Sequence, residues 1–141
     1  MTYTLAAITV VFIISVAIFL RTLPYSKGHS PVELFFEAFN KRDFDGAASY
    51  FTEKVFYEDT IAGKFNGRDA VKQHLKDNAN SVPPTAKLII DKLAFDSAGR
   101  NIGATWHVNV DGVDTPLNGA GFYSIEATGL ISYGKSAHPQ F

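Results

Sequence analysis

The chain has 141 residues, with 14 acidic and 13 basic side chains, a formal net charge of -1 and no cysteine. Its basic residues are scattered among Asp and Glu, which leaves no basic face for nucleic acid. The missing thiols exclude a disulfide framework, Cys-ligated zinc, iron–sulfur clusters and thiol catalysis.

Residues 1–20, MTYTLAAITVVFIISVAIFL, carry no charged side chain. As a helix such a run spans about 30 Å, the thickness of a bilayer's hydrocarbon core. Residues 1–22 are therefore expected to be a transmembrane helix rather than a cleaved signal, whose basic start is missing. Arg21 and Lys27 follow the span, which puts the remainder on the cytoplasmic or stromal side. About 120 residues are left, enough for one small domain.

Residues 23–29, with Pro24 and Gly28, read as a linker. Ser30, Pro31 and Glu33 then make an N-cap, a first-turn proline and a capping box. Behind them Val32, Phe35, Phe36 and Phe39 take the spacing of one apolar helix face. A second short helix starts near Asp43, with Phe44, Ala47, Ala48 and Phe51 on one side. EKVFYEDT reads as a strand, and NGRDAVKQHLKDNAN as a third helix capped by Asn66 and ended by VPP.

The remainder is β-rich: AKLIIDKLAF, NIGATWHVNV, PLNGAGFYSIE and GLISYG, joined by turns such as DSAGR and DG, make four strands in hairpin succession. In NIGATWHVNV the alternation puts Ile102, Ala104, Trp106, Val108 and Val110 on one face and His107 on the other. The domain is thus an α+β unit over 30–135, three helices against a curved antiparallel sheet. Residues 136–141, SAHPQF, contain the His-Pro-Gln-Phe sequence familiar from streptavidin-binding tags and are set aside as a tail.

The helix FFEAFNKRDFDGAASYF, the strand VFYEDT, the segment KFNGRDAVKQHL and the aromatic closing strands together resemble the nuclear transport factor 2-like superfamily, in its SnoaL-like branch. The resemblance implies a cone, with a bent sheet wrapped on a long helix and an apolar cavity at the wide end. YEDTIAGKFNG, WHV and GFY before GLISYG are further similar to SnoaL-like proteins of plant and algal plastids. That implies a thylakoid membrane with the domain on the stromal side.

Isomerases of this fold keep a carboxylate base at the end of the ED strand, where Asp59 falls, and that base works only with donors aimed at the developing oxyanion. The tyrosine that supplies one donor falls at Phe35, and the late aspartic acid at or near Ala120. Neither residue can donate from its side chain. Glu58 and Asp59 then read as a strand-end pair accepting bonds from a turn. The alternative keeps Asp59 as an active group with His107 beside it, which a strand bulge would permit.

The cavity-lining candidates are Phe35, Tyr57, Asp59, Trp106, Ala120 and Phe122, with Tyr123 in the same aromatic set. A cone lined by them suits a pigment, quinone or lipid, against plain aromatic core packing. No cofactor is called for, and no pair of His or carboxylates has a zinc-motif spacing. The expected function is a non-catalytic, membrane-anchored accessory or assembly subunit of a larger membrane protein complex, a photosynthetic one (photosystem or light-harvesting) in thylakoids, contacting other membrane subunits through its span and its outer sheet face. The alternative is a small enzyme or carrier holding a lipophilic molecule in the cone, with Asp59 as its polar or basic group.

Overall fold

The computed structural model describes Tyr25 and residues 28–138. The expected transmembrane helix at 1–22 lies outside the described residues. Among those described, no helix is long and apolar enough to cross a membrane.

Helix α1 (Pro31–Asn40) begins with the expected reciprocal cap: Glu33 N–H donates to Ser30 Oγ at 3.2 Å, and Ser30 N–H donates to the Glu33 carboxylate at 3.1 Å. Val32, Phe35, Phe36 and Phe39 form its buried face. Helix α2 (Phe44–Ser49) is capped by Asp43, whose side chain accepts from Gly46 N–H, and buries Ala47 and Ala48. Helix α3 (Arg68–Asn80) buries Val71, His74, Leu75 and Ala79. Its N-cap is Gly67 rather than the expected Asn66. Gly67 sits at φ 91°, a backbone region that side chains disfavour, and Asn66 instead ends a strand.

Six strands form one sheet in the order β2-β1-β6-β5-β4-β3. They are β1 (Phe51–Asp59), β2 (Gly63–Asn66), β3 (Lys87–Phe95), β4 (Asn101–Val110), β5 (Val113–Ile125) and β6 (Ile131–Ala137). The sheet is not wholly antiparallel, because β6 returns beside β1 in parallel. The short strand β2 was not anticipated: Thr60 to Ala62 turn the chain so that Gly63 pairs back with Asp59. Strand β6 also runs past residue 135, through Ser136 and Ala137.

Register shifts between Ile90 and Lys92 and between His107 and Asn109 bend the sheet. Its concave face closes on α1 and α3, with Ile102, Ala104, Trp106, Val108, Tyr123 and Ile131 in the core. Aromatic rings lie flat on that face because the strands beneath them carry glycine. A Cβ on Gly119 would collide with the Trp106 indole. One on Gly134 would come within 2.6 Å of the Tyr57 ring.

Candidate active site

Asp59 and Glu58 part company at the end of β1, since consecutive strand residues face opposite ways. Glu58 faces outward, where Oε2 accepts the Tyr133 hydroxyl at 2.7 Å and Lys64 and Lys135 lie 3.7 and 3.9 Å away. The Tyr133 hydroxyl and then these lysines hold its carboxyl below the usual range.

Asp59 faces inward and its side chain is only 2% exposed. Oδ1 accepts the backbone N–H groups of Ile61 and Ala62, each at 2.8 Å, so the carboxylate does end the strand and cap the turn. Oδ2 serves the interior: Ser136 Oγ donates to it at 3.3 Å, His138 Nε2 lies at 3.2 Å and His74 Nε2 at 3.3 Å. Burial alone would raise this carboxyl, but the N–H groups of Ala62 and Ile61 and the ring of His138 together hold it below its ordinary value. Asp59 is therefore ionised at neutral pH.

A cavity of about 120 Å³ opens beside this group. On the same measure one water needs ~10–15 Å³, so a small organic molecule is the matching scale. Phe35, Phe36, Phe39, Leu75, Leu88, Trp106 and Val108 supply its apolar wall, and Tyr57, Asp59, Tyr123, Ser136 and His138 its polar end. Tyr57, Tyr123 and Ser136 stand together at this polar end. Desolvation raises both phenols, so both remain protonated donors.

Of the residues singled out from the sequence, Phe35, Tyr57, Asp59 and Trp106 converge on this one void. Ala120 and Phe122 do not. The inward residues of β5 are Gly119, Gly121 and Tyr123, facing Trp106, Ala104 and Ile102, so Ala120 and Phe122 point to the outer face and Phe122 is 46% exposed. His107 lies outside as well: β4 keeps its alternation, with Trp106 and Val108 buried on either side of it, and its ring bridges Asp91 (Nδ1, 2.7 Å) and Asp114 (Nε2, 2.9 Å). Phe35 contributes only its ring, packed edge-on to Tyr123 at 5.7 Å. Among the described residues no group of His and carboxylates is arranged to hold a metal ion.

Sequence reasoning passed over Ser136 and His138 because they stand in the segment set aside as a tail. His74 joins them from the buried side of α3. Parity ties them to the site only once β6 is seen alongside β1: Gly134 and Ser136 pair with the inward Tyr57 and Asp59, and His138 follows in the same series.

The sequence matches the family model described as the SnoaL-like domain over residues 32–133. The chain belongs to this family. No curated protein matches it. Among solved structures, this SnoaL-like domain is similar to an isomerase candidate of the SnoaL-like family from Agrobacterium tumefaciens, at TM-score 0.66 and 14% identity, covering 78% of this chain and 95% of that one. It is similar to a ketosteroid isomerase candidate from Kribbella flavida, at TM-score 0.63 and 20% identity, covering 79% and 76%. A polyketide cyclase candidate from Sinorhizobium meliloti gives TM-score 0.61 and 17% identity, covering 75% and 92%. At these identities the likeness is one of fold.

Within the SnoaL-like domain the arrangement can accept a proton at the Asp59 carboxylate, and the protonated Tyr57 and Tyr123 can donate hydrogen bonds to an oxygen in the cavity.

Proposed function

We propose that the domain takes a small, largely apolar molecule bearing a carbonyl or hydroxyl oxygen into the cone and moves a proton on it. The supporting observation is that a buried, ionised Asp59, two protonated tyrosines and His138 meet at one end of an apolar cavity. In this reading the ligand's apolar body lies along Phe35, Phe36, Phe39 and Trp106. Its oxygen accepts from the tyrosine hydroxyls, which stabilises an enolate-like charge, while the Asp59–His138 group takes the proton. Pigments, quinones, lipids and polyketide-like rings have this chemistry.

The accessory-subunit reading draws no support from the described residues or from the solved relatives. The isomerase and cyclase candidates of the same fold favour the small-molecule alternative.

Trp106 is the only tryptophan in the chain and lines the cavity, so its fluorescence reports occupancy. A panel of lipophilic ketones, quinones and phenols, with mass spectrometry of the organic extract of purified protein, tests the proposal. At least one compound should move the emission saturably. Silence across the panel together with a clean extract would overturn the reading. For a compound that is turned over, Asp59→Asn should keep its affinity within a few-fold and lower the rate by about 10²–10⁴, the usual contribution of a positioned acid or base.

A further inference from the structure

Where the cavity meets solvent can be read from its own lining. Ser81 and Lys87 are exposed and Val82 and Ala86 half-buried, whereas the aromatic wall from α1 is buried. These four residues belong to the connection that leaves α3 after Asn80 and enters β3 at Lys87. The connection is therefore a rim of the cavity, and Val82 and Ala86 give its edge an apolar character.

Backbone bonds of its own hold this rim weakly. Ser81 N–H still belongs to the last turn of α3, Ala86 N–H donates to Pro83 C=O at 2.9 Å, and Pro83 and Pro84 have no N–H to give. Their carbonyls are taken instead by one side chain from the turn between α1 and α2. Arg42 Nη1 donates to Ala79 C=O at 3.0 Å, Nη2 to Pro83 C=O at 3.1 Å and Nε to Pro84 C=O at 3.3 Å. A planar guanidinium can bridge three acceptors in fixed directions, so the end of α3 and both prolines are fastened to one rigid group. Two residues earlier, Asn40 fastens Leu88 at the far end of the same segment.

Arg42 carries this fork at a φ of 57°, in the left-handed region where arginine is uncommon and glycine is the easy choice. Strain of this kind persists where surrounding contacts over-determine it, and ligand clamps are among the places where it gathers. Glycine would join α1 to α2 at no such cost, but it would leave the rim unfastened.

We infer that Arg42 controls access to the cavity: its guanidinium holds the rim at 81–86 in place, and a ligand enters and leaves when that fork lets go. The inference rests on the cavity being a ligand site, as proposed above, and names the residue that sets its traffic. Arg42 does not line the cavity. It acts through Val82 and Ala86 and is a positioning residue.

The test needs no ligand. Arg42→Gly removes the fork and at the same time relieves the backbone, so its effects on global stability offset each other. Arg42→Lys keeps the charge but cannot bridge three carbonyls. In the full chain, amide exchange at Ala86 reports the rim, and acrylamide quenching of Trp106, the chain's single tryptophan, reports entry into the cavity. With three hydrogen bonds gone, exchange at Ala86 in Arg42→Gly should quicken about 10–100-fold. Quenching should rise about twofold or more as the rim opens locally, with Arg42→Lys in between and the urea midpoint close to that of the parent chain. Quenching unchanged in both variants, or a rise wholly accounted for by a lower urea midpoint, would overturn the inference. If Arg42→Gly does not fold, Arg42→Lys decides by the same two readouts. Because no ligand enters, this outcome is independent of the fluorescence panel. For any compound that the panel finds, Arg42→Gly should raise the association and dissociation rates together about 3–30-fold and leave Kd within about threefold, a split that marks passage rather than contact.

Discussion

Trp106 shows how one side chain joins the fold to the cavity. Its indole is in the core, 7% exposed, and rests on the bare backbone of Gly119 across the β4–β5 pair. The backbone of Gly119 carries no positive φ, so its glycine is required by space alone. In Gly119→Ala the new methyl would occupy the ring's place and displace the indole that walls the cavity. Overpacking of this kind costs about 1–3 kcal/mol, so the urea midpoint should fall and the single-tryptophan emission should shift. Ligand titration in the same variant should show the pocket blocked. If stability drops while ligand affinity is unchanged, Trp106 is not a cavity wall. Tyr57 over Gly134 repeats the design, which suggests that ring size opposite glycine sets the pocket's shape as much as the residues named for chemistry.

Between elements, the exposed edge of the sheet is managed by a single amide. β3 is an end strand, and an unpaired strand edge is a template for unwanted pairing. Asn40 at the end of α1 behaves as a surrogate strand: its Nδ2–H donates to Leu88 C=O and its Oδ1 accepts from Leu88 N–H, both at 2.8 Å. Asn40→Ala would leave two part-buried backbone groups unmet, for a loss of about 1–3 kcal/mol by denaturant unfolding. A loss below a few tenths would show that water replaces the amide fully. What could be read from the sequence at this scale was what is local. The Ser30–Glu33 box closes within four positions, and the alternation of β4 survives because the extra residues at its two register shifts lie on β3 and β5. The partners of Asp59 were illegible for the opposite reason: Ser136 and His138 reach it across 77 and 79 positions, through a parallel β1–β6 pairing that no turn signal announces. The strand β5 misled over Phe122 because only the pairing Gly121–Ala104 reveals which of its alternating residues face inward.

Across the whole molecule, three groups with shifted acidity act at different pH and give stability a dome. His107 is raised above its ordinary 6.5 by its hydrogen bonds to Asp91 and then Asp114. The native state therefore holds this proton more tightly than the unfolded chain, and the stabilisation is full below 6.5 and lost as pH rises through the native value. His74 is lowered from 6.5, mainly by desolvation. Here the unfolded chain takes the proton first, so stability is intact above 6.5 and declines as pH falls from there toward the native value. Asp59, lowered from 3.8 despite its burial, extends the decline: its contribution is complete above 3.8 and disappears as pH drops through the native value. Urea midpoints between pH 3 and pH 9 should pass through a maximum near 6.5, where the alkaline and acid limbs meet. His107→Gln should flatten the alkaline limb alone, and added salt should weaken that limb because its groups are on the surface. His74→Gln should remove the upper part of the acid limb and leave the alkaline one untouched. Salt should spare this acid limb, since both His74 and Asp59 are shielded from counterions. If His74→Gln leaves the acid limb unchanged, the interior pair does not exchange protons with solvent on folding. The acid sensitivity would then belong to the surface carboxylates instead.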